Sequence, residues 1–399
     1  MTTPSLAENI YYVGVNDYET CLFEALWPLP EGISYNSYLI IDEKITLIDT
    51  VKKSFIPEYL QKIKRILPTG RTVDYLIINH IEPDHSGALT ALLDVYPAMQ
   101  IVGNKKTLEL LNDFYGVSTQ TVTVKDRDTL SLGKRTLQFL LAPMVHWPET
   151  MFTYEPQTQT LFSGDVFGGF GALQGGIFDD EVDLTFYVDE IRRYFSNIIG
   201  KYCVMVQKAF AHLDGIPIKT IASTHGPIFR KDPRFIMDLY GKWSRHETEP
   251  GAVIVYASMY GNTQRMAEAV ARGLAENGVE KIKMFNISRT HISFIINELW
   301  RFRALILGSC TYNTTLFPLM GLLLSVLETD GIKEHLLGLF GSYSWSGGAL
   351  AQLRDFAKKG SWTLIDPVIE VKCAPTDEKL ADCFTLGKNC AQALQAHSG

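Results

Sequence analysis

One short segment constrains this chain more than any other, because four metal-competent side chains occur within six residues. The segment reads Asn79-His80-Ile81-Glu82-Pro83-Asp84-His85-Ser86-Gly87. It follows an apolar, β-branched run over 73–78 that predicts a buried strand. In an extended segment, residues two apart share a face, so His80 and Glu82 should point together while Asp84 and His85 lie on the next turn. Ser86 and Gly87 should then open a helix through Tyr96. We interpret H-x-E-x-D-H as metal ligands; a polar strand-to-helix turn with incidental histidines is the alternative.

The length of 399 residues predicts two domains, because one hydrophobic core seldom serves so long a chain. The composition turns polar between Trp243 and Ala252, and Pro250-Gly251 is typical of a domain boundary. We therefore predict one domain over 1–248 and a second over 249–399. The net charge of −7 and the lack of a clustered basic stretch argue against nucleic acid as a partner.

The sequence predicts a cytoplasmic protein without a membrane partner. Its start, Met-Thr-Thr-Pro-Ser, lacks the basic and apolar regions of a secretory signal. The longest apolar run, 316–327, covers 12 residues and contains a proline, whereas a membrane span needs roughly 18 to 20. Six cysteines form no C-x-x-C pair, which excludes a rubredoxin-type iron site or a thioredoxin-type dithiol in this chain; we expect reduced thiols.

Three later residues repeat the chemistry of the first cluster within a mixed α/β pattern of strands and helices. His146, Asp165 and His225 each follow a short apolar run and are flanked by Gly or Pro. Stiff loops of this kind present side chains at the edge of a sheet. A single histidine of this type is more often structural than a ligand. Together with the first four residues, however, the set of seven predicts a metal centre.

The second half alternates five strands with helices, which is the doubly wound order that binds ligands at the carboxyl ends of its strands. Three strand ends carry small polar and aromatic residues: Ser258, Met259, Tyr260, Gly261, Asn262 and Thr263; Ser309, Cys310, Thr311, Tyr312 and Asn313; and Ser342, Tyr343, Ser344, Trp345, Ser346 and Gly347. The first loop leads directly into a helix whose N–H groups suit one phosphate, and the others suit a flat heteroaromatic ring. Each loop alone could be a capped turn, but together they predict bound FMN.

These motifs resemble those of the flavodiiron proteins over nearly the whole chain. The family pattern is H-x-E-x-D-H, a distant histidine, an aspartate about twenty residues later and a histidine about sixty after that; here His146 to Asp165 is 19 positions and Asp165 to His225 is 60. The resemblance implies an α/β chain: a metallo-β-lactamase-like αββα sandwich followed by a flavodoxin-like doubly wound parallel sheet. It also implies that His80, Glu82 and His146 hold one iron, that Asp84, His85 and His225 hold the other, and that Asp165 bridges the two.

The ligand types themselves favour iron. Zinc hydrolases of this fold usually carry a histidine where Glu82 stands, and zinc has no redox chemistry. Two ferrous ions, three carboxylates and one bridging hydroxide make a neutral site, and oxygen-rich ligands favour the ferric state. Three further residues bear on the site. Asp49 resembles a position that orients the metal ligands, and an ordinary turn aspartate at the end of a strand is the alternative. By the same resemblance, Phe170 stands where many relatives carry a histidine, and Tyr194 suits core packing better than a pocket.

A diiron centre and a flavin can together deliver four electrons, so we expect reduction of dioxygen to water, of nitric oxide to nitrous oxide, or both. The resemblance implies a head-to-tail homodimer or dimer of dimers, in which the FMN of one subunit serves the irons of the other. Electrons would come from an external donor such as rubredoxin or reduced coenzyme F420. One alternative is a metallohydrolase of the glyoxalase II or lactamase type with a flavodoxin-like appendage. The other is an electron carrier whose first domain is only structural.

Overall fold

The computed structural model describes residues 4–332 and 334–396, and the chain divides into two compact units, Met1–Ser244 and Arg245–Gly399. The predicted boundary after residue 248 falls just inside the second unit. Residues 1–3, which begin the segment predicted to lack a secretory signal, lie outside the described residues. None of the helices within the described ranges is both long enough and apolar enough to cross a membrane.

The first unit is built from two main sheets. Its strands are β1 Ser5–Ala7, β2 Ile10–Tyr12, β3 Val15–Asp17, β4 Leu22–Phe23, β5 Trp27–Pro28, β6 Ile33–Tyr35, β7 Tyr38–Ile40, β8 Thr46–Ile48, β9 Tyr75–Ile77, β10 Gln100–Asn104, β11 Thr121–Val124, β12 Thr129–Ser131, β13 Thr136–Leu141, β14 Met151–Glu155, β15 Thr160–Gly164 and β16 Thr220–Ser223. One sheet has the order β1-β2-β7-β8-β9-β10-β11 and the other β12-β13-β14-β15-β16, while β3-β6 and β4-β5 form two small pairs.

The helices of the first unit are α1 Ile56–Ile66, α2 Pro83–Ser86, α3 Leu89–Val95, α4 Lys105–Tyr115, α5 Leu184–Tyr194, α6 Cys203–Leu213 and α7 Pro233–Ser244. A π-helical turn, Phe195–Ile199, continues α5. Helix α1 shows why these segments fold as they do: it carries a proline in its first turn and buries Tyr59 and Ile63, which are four positions apart and so lie on one face.

The helix predicted over 86–96 is interrupted. His85 has φ −128° and ψ 15°, which are not helical values, so α2 ends at Ser86 and a separate helix, α3, begins at Leu89. Gly87 lies at this break, where a Cβ atom would stand 2.6 Å from the Pro83 carbonyl oxygen and 2.7 Å from the Lys53 nitrogen. The chain therefore needs glycine for this close backbone approach, and the break lets His85 leave the helical path.

Asn79 joins the two main sheets beside the first ligand segment. Its backbone carbonyl accepts from Met151 N at 3.0 Å, and its side-chain oxygen accepts from the Thr153 hydroxyl at 2.7 Å. Its own N–H and amide group donate to the Asp49 carboxylate at 2.8 and 3.1 Å. These polar groups are buried, so each hydrogen bond offsets a desolvation cost and fixes the point where β9 gives way to the ligands.

The second unit contains β17 Glu249–Ala257, α8 Asn262–Glu276, β18 Ile282–Asn286, α9 Ile292–Arg301, β19 Phe302–Tyr312, β20 Thr315–Leu316, α10 Pro318–Asp330, β21 Leu336–Tyr343, α11 Ala349–Lys359, β22 Thr363–Lys372 and α12 Asp377–Ala396. The main order, β18-β17-β19-β21-β22, is parallel throughout, and the short β20 pairs antiparallel with β19. The change of direction in strand order lies between β17 and β19, where ligands bind in sheets of this kind. None of the six cysteines, all within the described ranges, forms a disulfide.

Candidate metal centre

All seven predicted ligand residues meet in the first unit. His80, Glu82, Asp84 and His85 follow β9; His146 lies between β13 and β14; Asp165 follows β15; and His225 follows β16. Strands β15 and β16 are parallel, so their carboxyl ends present Asp165 and His225 at the same edge. Six of the seven residues are buried and Asp84 is half-buried.

The first group of ligand atoms comes from His80, Glu82 and His146. The Nε2 atoms of His80 and His146 both lie 3.3 Å from Glu82 Oε2. They also lie 3.6 and 3.2 Å, respectively, from Asp165 Oδ2. Two nitrogens and two carboxylate oxygens therefore face one small space.

The second group comes from Asp84, His85 and His225 and uses the other oxygen of Asp165. Asp165 Oδ1 lies 3.2 Å from His85 Nε2 and 3.5 Å from His225 Nε2. Asp84 Oδ1 is 3.5 Å from His85 Nε2, and Asp84 Oδ2 is 3.3 Å from His225 Nε2. His85 is also within 4.8 Å of the first group, but its shortest contact places it with the second. The carboxylate of Asp165 thus has one oxygen beside each group.

These separations fit metal binding. Ligand atoms that lie about 2.1 Å from a common ion are about 3.0 to 3.4 Å from one another, close to the distances within each group. Several of the same atoms are buried without a hydrogen-bond partner among the described residues, including both oxygens of Asp84 and the Nε2 atoms of His85 and His225. Buried polar atoms are rarely left unpaired, so the cluster has the donor set for two cations.

A further buried carboxylate, Glu149, lies beside the cluster and is not among the seven residues predicted from the sequence. Its Oε1 lies 2.5 Å from His80 Nδ1 and accepts from Ile81 N at 3.1 Å. His225 Nδ1 lies 2.7 Å from the Ser34 carbonyl oxygen, which can only accept, so this ring donates from Nδ1 and turns Nε2 toward the cluster. The only sequence signal for Glu149 was its place three positions after His146, in Trp-Pro-Glu-Thr.

The charges of the metal-free cluster balance one another. Burial alone would lower the pKa of His85 and His146, but neighbouring carboxylates outweigh it and raise the pKa of each to about 9. Burial would raise the pKa of Asp165, yet the imidazoles of His85, His146 and His80 hold it well below the usual range. Without metal, the site therefore holds imidazolium–carboxylate pairs, and a metal ion must displace protons from the nitrogens.

Asp49 acts on the site through the backbone. Its carboxylate binds Asn79, the residue before His80, while His85 Nδ1 has no hydrogen-bond partner among the described residues. Burial, opposed by the charge of His85 and the bonds from Asn79, raises the pKa of Asp49 to about 6. Asp49 thus orders the start of the ligand segment.

An aromatic wall, formed by Phe23, Phe170 and Tyr194, borders His225. The ring centroids of Phe23 and Tyr194 lie 5.8 and 5.5 Å from that of His225, and Phe170 packs 5.5 and 5.1 Å from the two other rings of the wall. All three are buried, and the Tyr194 hydroxyl has no hydrogen-bond partner among the described residues. Tyr194 is therefore packed in the core, as expected, and also borders the cluster of candidate ligands.

The second unit has a pocket at the carboxyl ends of its strands. It is lined by ten of the predicted flavin-loop residues and by Cys373: Ser258, Met259, Tyr260, Asn262, Thr263, Cys310, Thr311, Ser342, Tyr343 and Ser344. The hydroxyls of Thr263 and Ser342 are 2.9 Å apart and join the first and third loops. Gly261, with φ 87°, turns the first loop into the start of α8. Hydroxyls beside a helix N-terminus are suited to a phosphate.

Seven other predicted flavin-loop residues do not line this pocket: Gly261, Ser309, Tyr312, Asn313, Trp345, Ser346 and Gly347. Trp345 is 81% exposed and Tyr312 is 41% exposed. Both rings are therefore accessible to solvent, in loops that also supply residues to the pocket. Cys373 follows β22 and lies outside the three strand ends predicted to bind flavin. Its backbone N–H donates to the Tyr343 carbonyl at 2.7 Å.

Comparison with known proteins divides the chain in the same order. The family model described as ODP family beta lactamase matches residues 33–226, and the model described as flavodoxin matches 254–387. A nitric oxide reductase of Moorella thermoacetica is 35% identical over 395 residues, covering 98% of both chains. The solved structure of the flavodiiron protein from Giardia intestinalis matches with a TM-score of 0.95 and 30% identity, covering 100% of this chain and 98% of that one. The chain belongs to the flavodiiron protein family.

Two other relatives are similar to this chain over nearly its whole length. The structure of rubredoxin oxygen:oxidoreductase from Desulfovibrio gigas has a TM-score of 0.95 and 29% identity, with full coverage of both chains. The anaerobic nitric oxide reductase flavorubredoxin of Escherichia coli is 33% identical over 390 residues, covering 96% of this chain and 81% of that one. The resemblance and the fold class predicted from the sequence are confirmed: a metallo-β-lactamase-like domain precedes a flavodoxin-like one.

Membership also establishes that this flavodiiron protein is an oxidoreductase, because the named relatives are reductases. It removes the two alternatives raised by the sequence, a metallohydrolase with an appended domain and an electron carrier with an inert first domain.

Proposed function

We propose that this flavodiiron protein reduces dioxygen to water, nitric oxide to nitrous oxide, or both, at a diiron centre that receives electrons through FMN. The observation that carries the proposal is the position of Asp165, whose two carboxylate oxygens lie beside two separate groups of nitrogen and oxygen ligands. When bound, two irons and a flavin would supply redox chemistry that zinc cannot.

The seven side chains have distinct proposed roles. His80, Glu82 and His146 would hold one iron, Asp84, His85 and His225 the other, and Asp165 would bridge them. Glu82 supplies an anion where zinc hydrolases of this fold usually carry a neutral imidazole. An anionic ligand favours an oxidised metal at that position. The charge of three carboxylates offsets most of that of two divalent ions, so the buried site avoids a large uncompensated charge.

The aromatic wall favours an uncharged substrate. Phe23 and Phe170 present no hydrogen-bonding group toward the cluster, and Tyr194 brings a single buried hydroxyl. Small neutral gases lose little hydration when they enter such a site, whereas an anion would lose much. Phe170, in place of the histidine expected from many relatives, leaves the site without a titratable group at that position.

In the second unit, the pocket residues named above would hold FMN. The N–H groups at the start of α8 and the hydroxyls of Ser258 and Thr263 would bind its phosphate, and the other two loops would border its ring system. Trp345 and Tyr312, both exposed, would contact the ring from outside the pocket walls.

The remaining assignments follow from the family and from composition. Electrons would come from an external donor, such as rubredoxin or reduced coenzyme F420. A head-to-tail homodimer or dimer of dimers would bring each flavin to the irons of another subunit, and we propose a cytoplasmic location. A relative is named rubredoxin oxygen:oxidoreductase, which supports a rubredoxin donor.

Anaerobic turnover tests this function. Protein with measured iron and FMN is reduced without oxygen, and the reoxidation of its flavin is followed after dioxygen or nitric oxide is added. The proposal predicts fast reoxidation by at least one gas, with water or nitrous oxide as the product. Reoxidation no faster than that of an iron-free preparation with either gas would refute it.

A further inference from the structure

We propose that Glu149 is the positioning residue of His80, and that its carboxylate makes the metal position of His80, Glu82 and His146 the more strongly binding and less easily reduced of the two. The inference rests on the proposed metal assignment. Glu149 is not one of the seven proposed ligands, but it contacts one of them. Its Oε1 atom is 2.5 Å from His80 Nδ1.

The same carboxylate oxygen fixes both a side chain and the backbone. Oε1 faces His80 Nδ1 and also accepts from Ile81 N, the residue between His80 and Glu82, at 3.1 Å. A carboxylate can only accept, so the His80 ring donates from Nδ1 and keeps the lone pair of Nε2 for the cluster. Glu149 therefore sets the tautomer of His80, the rotation of its ring and the path of the chain toward Glu82.

Glu149 is itself held in place. Its side chain is 0% exposed, and its backbone carbonyl accepts from Asn104 Nδ2 at 2.5 Å. The side chain of Asn104 also caps α4 by accepting from the backbone N–H groups of Lys106 and Thr107. The backbone of Glu149 is thus tied to the junction of β10 and α4, which fixes the point from which its buried side chain reaches His80.

The two metal positions differ in what the Nδ1 atoms of their histidines contact. On the other side of the cluster, His225 Nδ1 faces a neutral carbonyl, that of Ser34, and His85 Nδ1 has no hydrogen-bond partner among the described residues. Glu149 Oε2 is buried and likewise has no hydrogen-bond partner there, so the negative charge acts mainly through His80. A carboxylate that accepts from a ligand imidazole makes the imidazole a stronger electron donor to its metal. The position of His80 is consequently the more electron-rich one.

Metal binding by the full-length protein tests the role without relying on turnover. Cobalt(II) alone is titrated into metal-depleted, FMN-containing protein, and its absorption bands are followed against a competing chelator. Glu149→Ala should leave the weaker of the two cobalt positions unchanged and weaken the tighter one by about 10- to 100-fold. Glu149→Gln, which keeps the size but not the charge, should weaken it less and should raise the reduction potential of one iron in the iron-loaded protein.

The matched control is Glu155→Gln. Glu155 is equally buried, in β14, but its carboxylate lies 3.4 Å from Arg135 Nη1 instead of a metal ligand. Its substitution should leave both cobalt affinities and the iron potentials unchanged. If Glu149→Gln folds and keeps both cobalt affinities and the iron potentials of the parent, the inference is wrong. Weakened cobalt binding in a protein that reduces neither gas would instead refute only the proposed function.

Discussion

Glu82 gives the cluster its chemical character at the scale of single residues, because it supplies an anion to a group otherwise made of two imidazoles and the shared Asp165. Its Oε2 lies 3.3 Å from the Nε2 atoms of both His80 and His146. Removal of one carboxylate from this group takes away a ligand and leaves the second group intact. The two metal positions should therefore respond separately to substitution.

For Glu82→Ala, we expect about half of the iron to be lost, since one of two positions loses an anionic ligand. FMN should be retained, because its pocket lies in the second unit. Iron is measured by atomic emission and FMN by absorbance. Glu58→Ala is the control, because Glu58 is exposed and pairs with Lys62 on the surface of α1, away from the candidate ligands. Unchanged iron in Glu82→Ala would show that the ligand assignment is wrong.

The raised pKa values of His85 and His146 predict opposite effects of pH on the metal-free protein and on metal uptake. Each pKa is about 9 in the folded chain and about 6.5 when unfolded. Their imidazolium pairs therefore stabilise the metal-free fold fully below about pH 6.5, and this stability is lost as pH rises through 9. Metal affinity should rise over the same range, because fewer protons must be displaced.

Thermal unfolding of metal-depleted protein from pH 6.5 to 9, beside zinc titrations at the same pH values, measures both effects. The melting temperature should fall with pH while the zinc affinity increases. A melting temperature that rises across this range would show that these histidines are not paired with carboxylates in the metal-free state.

At the scale of helices and strands, glycines on α8 and α12 set how closely the two helices pack. A Cβ atom on Gly387 would stand 2.1 Å from the Val270 carbonyl oxygen, and one on Gly273 would stand 2.1 Å from that of Phe384. Both contacts are with backbone, which cannot rotate away. The helices must separate if either glycine gains a side chain.

Gly387→Ala should therefore destabilise the second unit by about 1 to 3 kcal/mol, the usual cost of overpacking. Gly321→Ala, on α10, is the matched control: no heavy atom lies within 4 Å of its Cβ position, so helix propensity should stabilise it by up to about 1 kcal/mol. Urea unfolding of flavin-free protein, followed by circular dichroism, gives the free energy of unfolding of both variants and of the parent. Equal stability of Gly387→Ala and the parent would contradict this packing.

The sequence predicted the second unit better than the first. Its five main strands and their helices follow a regular alternation of apolar and polar runs, which predicted the doubly wound order. In the first unit, the two- and three-residue strands β3 to β6 are too short for periodicity to reveal. The break at His85 could not be predicted either, because it depends on the approach of Gly87 to Lys53, far away in the chain.

The seven candidate ligands were found because their residue types and spacing are distinctive, whereas Glu149 was not. Its partner, His80, lies 69 positions earlier, and only the folded chain brings them together. Cys373 was not predicted for a related reason. Nothing in its own segment indicates a residue of the flavin pocket, and its place there depends on β22 lying beside β21.

For the whole molecule, the proposed head-to-tail dimer predicts that two inactive variants restore activity when mixed. Glu82→Ala would lack a complete metal centre, and Ser342→Trp would fill the flavin pocket. After dissociation and random reassociation, half of the dimers pair one of each, and each has one intact flavin–metal pair. The mixture should regain about a quarter of the parent activity.

Each variant alone is the control, with its iron and FMN content measured to show that only the intended site is lost. Restored activity requires that the flavin of one chain serves the metal centre of another. If heterodimers form, as shown by mass spectrometry, and activity stays at the level of the separate variants, electrons pass within a single chain and the proposed dimer is wrong.

The position of bound iron tests the central claim most directly. Anomalous diffraction from crystals of the iron-loaded protein, collected on both sides of the iron absorption edge, locates each iron atom without reference to activity. We predict two peaks per chain, one among His80, Glu82 and His146 and the other among Asp84, His85 and His225, with Asp165 between them. A single peak, or peaks away from these side chains, would contradict the account.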